Sequence, residues 1–242
     1  MPQILIEKSQ LVNGLDVSSP RTGLYFRRTL LRWYRVNARP FPWRETEDPY
    51  QILLSEVLLQ RTQASQVKDN YAGIIAALPT PRAVTRTTLA SMKVLLRPLG
   101  LAKRPAILKK MGEELVTRYD GRVPSSVTEL ESLPGVGHYI ATATAAFASG
   151  ARVAVVDANV IRVLARFFGA ISPKTRPRDD PAVWRLAQSL LPQSRVADYN
   201  RALIDFAALV CRPRIPNCRD CPLRMRCRGA PAFRANPAVR QD

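Results

Sequence analysis

One histidine, His138, is all the chain has in 242 residues. Any site that needs several imidazoles, in a triad or at a metal, is therefore excluded. Acidic residues are scarce as well: 19 Asp and Glu stand against 37 Lys and Arg, a formal charge of +18. That imbalance favours a polyanionic partner. Long apolar runs are lacking, and no window approaches the ~18 unbroken apolar residues of a membrane span. No basic amphipathic helix offers large apolar residues to a lipid surface, and Met1 to Pro20 lacks the apolar core of a secretory signal. The expectation is a cytoplasmic or nucleoid-associated protein whose thiols stay reduced. Internal repeats and alternating strand patterns are missing too, which leaves an all-α class.

What is present centres on Leu133-Pro134-Gly135-Val136-Gly137-His138-Tyr139. Two glycines around one apolar residue predict a tight hairpin in which Gly supplies positive φ. The flanks read as helix, Ser126 to Ser132 before and His138 to Ala148 after. In such a helix-hairpin-helix the backbone N–H groups of Gly135, Val136, Gly137 and His138 face outward, suited to a phosphate or a bridging monovalent cation. Val156-Asp157-Ala158-Asn159 follows closely, and Asp157 reads in two ways. It is an N-cap for the helix from Val160 to Phe168, or an acid placed for chemistry on the bound polyanion.

Met1 to Gly23 reads as an irregular arm, and a helical stripe begins with Phe26, Leu30, Trp33 and Tyr34. Phe41-Pro42-Trp43-Arg44 forms an aromatic corner; Asp48-Pro49 is an N-cap followed by proline at the first helical position. In the helix that follows, Tyr50, Leu53, Leu54, Val57 and Leu58 make the apolar face, while Glu56, Gln60 and Gln63 make a polar stripe suited to a cleft wall. Further helical patterns run Val67 to Leu78, Leu89 to Leu96, Ala106 to Tyr119 and Pro181 to Leu191, with a last stripe at Tyr199, Leu203, Phe206 and Val210. Breaks fall at Pro79-Thr80-Pro81 and Pro98-Leu99-Gly100, and from Arg228 the chain reads as a disordered basic tail.

The four cysteines are spaced Cys211-x6-Cys218-x2-Cys221-x5-Cys227. Four thiolates in so short a run suit a [4Fe–4S] cluster or a zinc ion, and ligand chemistry alone leaves both open. The intervening Arg212-Pro213-Arg214 loop is either a phosphate contact or a solvated turn.

Taken together, the cysteine spacing, LPGVG and VDAN resemble the iron–sulfur DNA glycosylases of the helix-hairpin-helix superfamily: endonuclease III, MutY-type adenine glycosylases and MIG-type thymine glycosylases. The likeness runs from about Leu24 to Cys227. It implies a two-lobed all-α fold, with a six-helix barrel domain at 42–151 carrying the hairpin. A discontinuous cluster domain at 1–41 and 152–227 and a tail at 228–242 complete it. It also implies a [4Fe–4S] cluster on Cys211, Cys218, Cys221 and Cys227, a monomer, and double-stranded DNA with a mismatched or deaminated base as partner. The target nucleotide would be flipped out of the duplex.

By this resemblance Asp157 is the catalytic carboxylate, steadying the positive charge that builds on the deoxyribose. Glu56 is the second acid, and Tyr139 stands where strand-nicking members carry a lysine nucleophile. A tyrosine forms no Schiff base, so hydrolysis without strand cleavage is expected. Asn159 would contact the sugar–phosphate, Gln60 and Arg61 the orphaned partner base, and Leu101 the hole left by flipping. Tyr139 points most to the MIG type, hence to thymine or uracil opposite guanine. The alternative is adenine opposite guanine or 8-oxoguanine, favoured by Ser55-Glu56-Val57 and Thr62-Gln63; long MutY-type proteins append a further C-terminal domain that these residues do not supply. A non-catalytic DNA binder is disfavoured because both Glu56 and Asp157 are present.

Overall fold

The computed structural model describes Leu11–Val12, Leu15–Asp16 and residues 20–230. Among the described residues, eleven α-helices dominate: α1 (Pro20–Asn37), α2 (Pro49–Leu58), α3 (Ala64–Ala77), α4 (Pro81–Arg86), α5 (Leu89–Leu96), α6 (Arg104–Tyr119), α7 (Val127–Glu131), α8 (His138–Ala148), α9 (Ala158–Phe168), α10 (Pro181–Ser189) and α11 (Val196–Leu209). The expected all-α class holds. The N-terminal arm is less irregular than its sequence suggests, since Leu11–Val12 (β1) pairs antiparallel with Leu15–Asp16 (β2) and α1 already begins at Pro20. The chain divides into two compact units, Pro40–Val153 on one side and Met1–Arg39 with Ala154–Asp242 on the other.

In the Pro40–Val153 unit, α2 is the axis. Asp48 caps it by accepting from Tyr50 N–H at 2.9 Å, and Pro49 fills the first helical position, where no N–H is needed. Ile52, Leu53, Leu54, Val57 and Leu58 are all at most 2% exposed, and Ser55 and Glu56 are buried with them. Burial all round marks a core helix, and each fully buried Leu contributes roughly 1.5–3 kcal/mol. Helix α8 packs on α2 through Ala141 and Ala145, whose small side chains let the backbones approach.

The expected polar stripe is therefore not a helix face. α2 stops at Leu58, Arg61 takes φ 55°, and Gln63 sits at the N-cap position of α3. A left-handed residue ends the α-helical hydrogen-bond pattern, so Gln60 and Gln63 leave the helix that carries Glu56. Helix α4 occupies the stretch after Pro79-Thr80-Pro81, capped by Thr80 Oγ1 accepting from Ala83 N–H. It lies close on α6 because Gly112 has no side chain; a Cβ there would meet Val84 Cγ1 at 2.7 Å.

In the other unit, α1 packs along α11 and α9. Phe26 packs tilted against Phe167 and Phe168 with ring centroids 4.7 and 5.1 Å away. Where α1 ends, Arg39 donates its backbone N–H to Asp205 Oδ2 at 3.0 Å and its Nε to Oδ1 at 2.7 Å. Asp205 is wholly buried, so this charge pair is a fixed joint between distant parts of the chain. The run Ala154-Val155-Val156 joins neither helix nor sheet. Gln188 Oε1 accepts from Ala154 N–H at 2.9 Å and Asn200 Oδ1 from Val155 N–H at 3.1 Å, which satisfies a buried backbone by side chains instead. The residues expected to begin a loose tail are packed: Arg228 N–H donates to Phe167 O, Gly229 N–H to Arg166 O, and Ala230 is 2% exposed. The rest of that expected tail, 231–242, lies outside the described residues.

Candidate active site and cysteine pocket

The hairpin follows from one glycine more than from two. Gly135 has φ 79°, and a Cβ there would lie 2.2 Å from Ile107 Cγ2 of α6, so neither conformation nor space admits a side chain. Gly137 instead has φ −94° and open space around it; it serves as the N-cap of α8 without a capping side chain. No side chain caps this eleven-residue helix, and the positive end of its dipole favours an anion there. Val136 makes no such approach, because its side chain is buried and its N–H donates to Leu133 O at 3.1 Å. His138 is exposed beside the helix start, with Nδ1 2.6 Å from Glu131 Oε1. Tyr139, one residue on, is half-buried against the core.

The same unit carries Glu56, 6% exposed on α2, together with Gln60, Arg61 and Leu101. Gln60 Nε2 donates to Gly135 O at 2.9 Å, joining the turn after α2 to the hairpin. Arg61 is exposed and Leu101 half-exposed; each sits in the left-handed region, at φ 55° and 52°. Between them lies Arg104, buried and absent from the sequence-level candidates. Burial pulls its guanidinium below the ordinary arginine value. No sequence pattern separates Arg104 from the other arginines of so basic a chain.

In the other unit the N-cap reading of Asp157 holds. It is the N-cap of α9, with Oδ1 accepting from Val160 N–H at 2.7 Å. Its second oxygen, Oδ2, accepts from Asn159 Nδ2 at 2.6 Å. Asn159 Oδ1 in turn accepts from Arg162 Nη1 at 3.0 Å, while Arg162 Nε and Nη2 donate to Cys211 O and Ala207 O at 2.9 and 3.0 Å. Burial lowers the Arg162 guanidinium, opposed by the nearby Cys211. The carboxylate is thereby held on both oxygens, and the acid is wired to the cysteine loop through two side chains.

Cys211, Cys218, Cys221 and Cys227 line one pocket whose walls include Val163, Phe167, Phe206 and Leu223. Burial pushes the Cys221 thiol up to about 12 and raises that of Cys227. Among the described residues, no three His, Cys, Asp or Glu side chains converge tightly enough for a single metal ion. Arg166 closes the pocket edge, with Nη1 3.6 Å from Cys211 Sγ and 2.6 Å from Arg212 O, and Nη2 2.5 Å from Pro213 O. That pinning leaves Arg212 and Arg214 exposed on a fixed backbone.

Residues 54–188 match the model of the HhH-GPD superfamily base excision DNA repair proteins. The thymine/uracil-DNA glycosylase of Pyrobaculum aerophilum is 37% identical over 202 residues, covering 82% of this chain and 88% of that one. A solved thermostable thymine-DNA glycosylase superposes with a TM-score of 0.84 at 34% identity, covering 88% of this chain and 98% of that one. The adenine DNA glycosylase of Homo sapiens is 35% identical over 84% of this chain but only 39% of its own length. The chain belongs to the HhH-GPD superfamily of base excision DNA repair proteins.

Proposed function

We propose that the protein is a mismatch-specific DNA glycosylase that hydrolyses the N-glycosidic bond of thymine or uracil opposite guanine. The carrying observation is the doubly held carboxylate of Asp157, fixed by Val160 N–H and the Asn159 amide. A pre-aimed anion stabilises positive charge developing at the anomeric carbon and needs no reorganisation as the bond breaks. The 37% identity to a thymine/uracil-DNA glycosylase and the TM-score of 0.84 to a thymine-DNA glycosylase support this substrate class.

The hairpin and the start of α8 supply phosphate-binding amides, seating the DNA strand, and the hairpin residues Gly135 to Gly137 would hold a monovalent cation that offsets phosphate charge. Glu56 contacts the everted pyrimidine from its buried place on α2, and Tyr139 lines the base pocket without an amine to attack the sugar. A mispaired base is cheaper to evert than a paired one, which makes flipping itself selective. The product is an abasic site, released without strand cleavage.

The donor set of the cysteine pocket fits a [4Fe–4S] cluster: four thiols on one short loop system, walled by apolar side chains. Cys211, Cys218, Cys221 and Cys227 would hold it, and its contribution there is to fold and stiffen the Arg212–Arg214 loop that meets DNA.

The test is incubation of the protein with duplexes bearing G:T, G:U, A:G or A:8-oxoguanine, followed by alkali to reveal abasic sites. Cleavage after alkali at thymine or uracil supports the reading. Cleavage at adenine alone replaces it with the adenine activity.

A further inference from the structure

Arg104 is completely buried, and every acceptor around it is an uncharged oxygen. Its Nε reaches Val57 O at 3.3 Å; Nη1 reaches Leu99 O and Gly100 O at 3.2 and 3.1 Å; Nη2 reaches Gln60 O and Thr62 Oγ1 at 2.7 and 2.8 Å. A buried guanidinium without a carboxylate is costly, and an apolar side chain of similar volume commonly serves as well or better where only packing is needed. The first turn of α6 is also the wrong end of a helix for a cation. What the arginine achieves and an apolar residue cannot is to tie three backbone segments: the end of α2, the Gln60–Thr62 turn and the Leu99–Leu101 turn.

Those turns are the two that place Arg61 and Leu101 in left-handed conformations. Neither residue is a glycine, so both conformations persist only where the surroundings enforce them. Thr62 Oγ1 reinforces the tie, accepting from Arg104 while 2.9 Å from Leu99 O. Gln60 extends it to Gly135 of the hairpin, and Ile107, one turn beyond Arg104, backs that same glycine.

We propose that Arg104 is a positioning residue whose buried guanidinium locks the Gln60–Thr62 and Leu99–Leu101 turns into one rigid insert, so that Arg61 and Leu101 enter the duplex together and hold it open around the everted nucleotide. The proposal rests on the glycosylase reading above. It assigns Arg104 to strand opening and leaves bond breaking to Asp157. Loss of the clasp therefore penalises substrates that must be opened and spares those already open.

The experiment compares wild type with Arg104→Met and Arg104→Lys in single-turnover excision of uracil. One substrate has uracil opposite guanine, the other an unpaired bulged uracil. The expected result is a loss of about a hundredfold on the mismatch, as for a misplaced positioning contact, with the bulge affected about twofold at most. Lysine rescues partially, because one ammonium cannot serve both turns. Equal losses on both substrates, or full mismatch activity in Arg104→Met, overturn the proposal. Thr62→Val covers the case in which Arg104→Met fails to fold, and its smaller loss must show the same substrate bias. Amide exchange separates this test from the glycosylase reading. With the clasp gone, the 59–62 and 99–101 amides must exchange faster together while α8 is unchanged. Unchanged exchange in those turns refutes the clasp even if the wild type excises uracil. A wild type inert on every duplex refutes the glycosylase reading while the exchange result still decides the clasp.

Discussion

Asn159 holds Asp157 by one atom and Arg162 by another: its Nδ2 lies 2.6 Å from Asp157 Oδ2 and its Oδ1 accepts from Arg162 Nη1 at 3.0 Å. The carboxylate needs a fixed orientation, and Asn159 transmits one from a guanidinium anchored on the carbonyls of Ala207 and Cys211. Asn159→Ala leaves the Val160 cap intact and removes only this second hold. Single-turnover excision is expected to fall by about tenfold, the worth of one charge-assisted hydrogen bond, with little change in Tm.

Asp157→Asn separates charge from capping. Asparagine caps as well as aspartate, so Tm should move by the equivalent of about 0.5 kcal/mol at most. Base excision should fall about 100-fold or more, since the anion facing the sugar is gone. Thermal melting and alkali-developed cleavage on the same preparation check both halves; retained activity would show that another group carries the reaction.

The chemistry at position 139 is open to a covalent probe. Borohydride should trap no adduct between the wild-type chain and uracil-containing DNA, because a phenol cannot form an imine. Tyr139→Lys supplies the amine, and a borohydride-stable adduct visible as a slow band on a denaturing gel is the expected gain.

The two hairpin glycines should differ in their effect on stability. Gly135→Ala combines a left-handed φ with a contact at 2.2 Å from Ile107, and should destabilise the fold by about 2 kcal/mol or more. Gly137→Ala meets open space at a permitted φ, so stability should change by about 0.5 kcal/mol at most. Denaturant unfolding measures the first difference. Filter binding to an abasic-site duplex should show both variants weakened, the second by its methyl group at the phosphate-facing amides.

The cysteine pocket makes a visible prediction. Freshly purified protein should be brown and hold about four irons per chain. Cys218→Ala should lose the colour and loosen the Arg212–Arg214 loop, read as faster proteolysis there. A colourless protein with stoichiometric zinc would overturn the cluster assignment.

Much of this architecture was legible in the residues, for identifiable reasons. Asp48-Pro49 marks a helix start by its own chemistry, and the bounds of α5 and α8 coincide with those expected because Thr88 and Gly137 punctuate the chain. Where the reading failed, long-range packing had overridden local pattern. The Glu56–Gln60–Gln63 spacing is helical in the abstract, yet the turn pinned by Arg104 ends the helix at Leu58. Helix α4 leaves no signature because its six residues carry too little periodicity, and its place depends on the bare surface of Gly112. The N-cap role of Asp157 is legible from its place before a helix, while Arg104 and Arg162 are hidden among many arginines. Their distinction is burial, which no spacing reveals.

The joint between Arg39 and Asp205 also bears on biosynthesis. These partners are 166 residues apart, and α1 has its packing surface on helices that come late in translation. At about 5–20 residues per second, α1 waits on the order of ten seconds after leaving the ribosome before α11 exists, while Pro40–Val153 can already condense. The nascent chain must keep the greasy side of α1 from sticking elsewhere during that interval, so the first helix, and not the hairpin, is the segment most exposed to premature contacts.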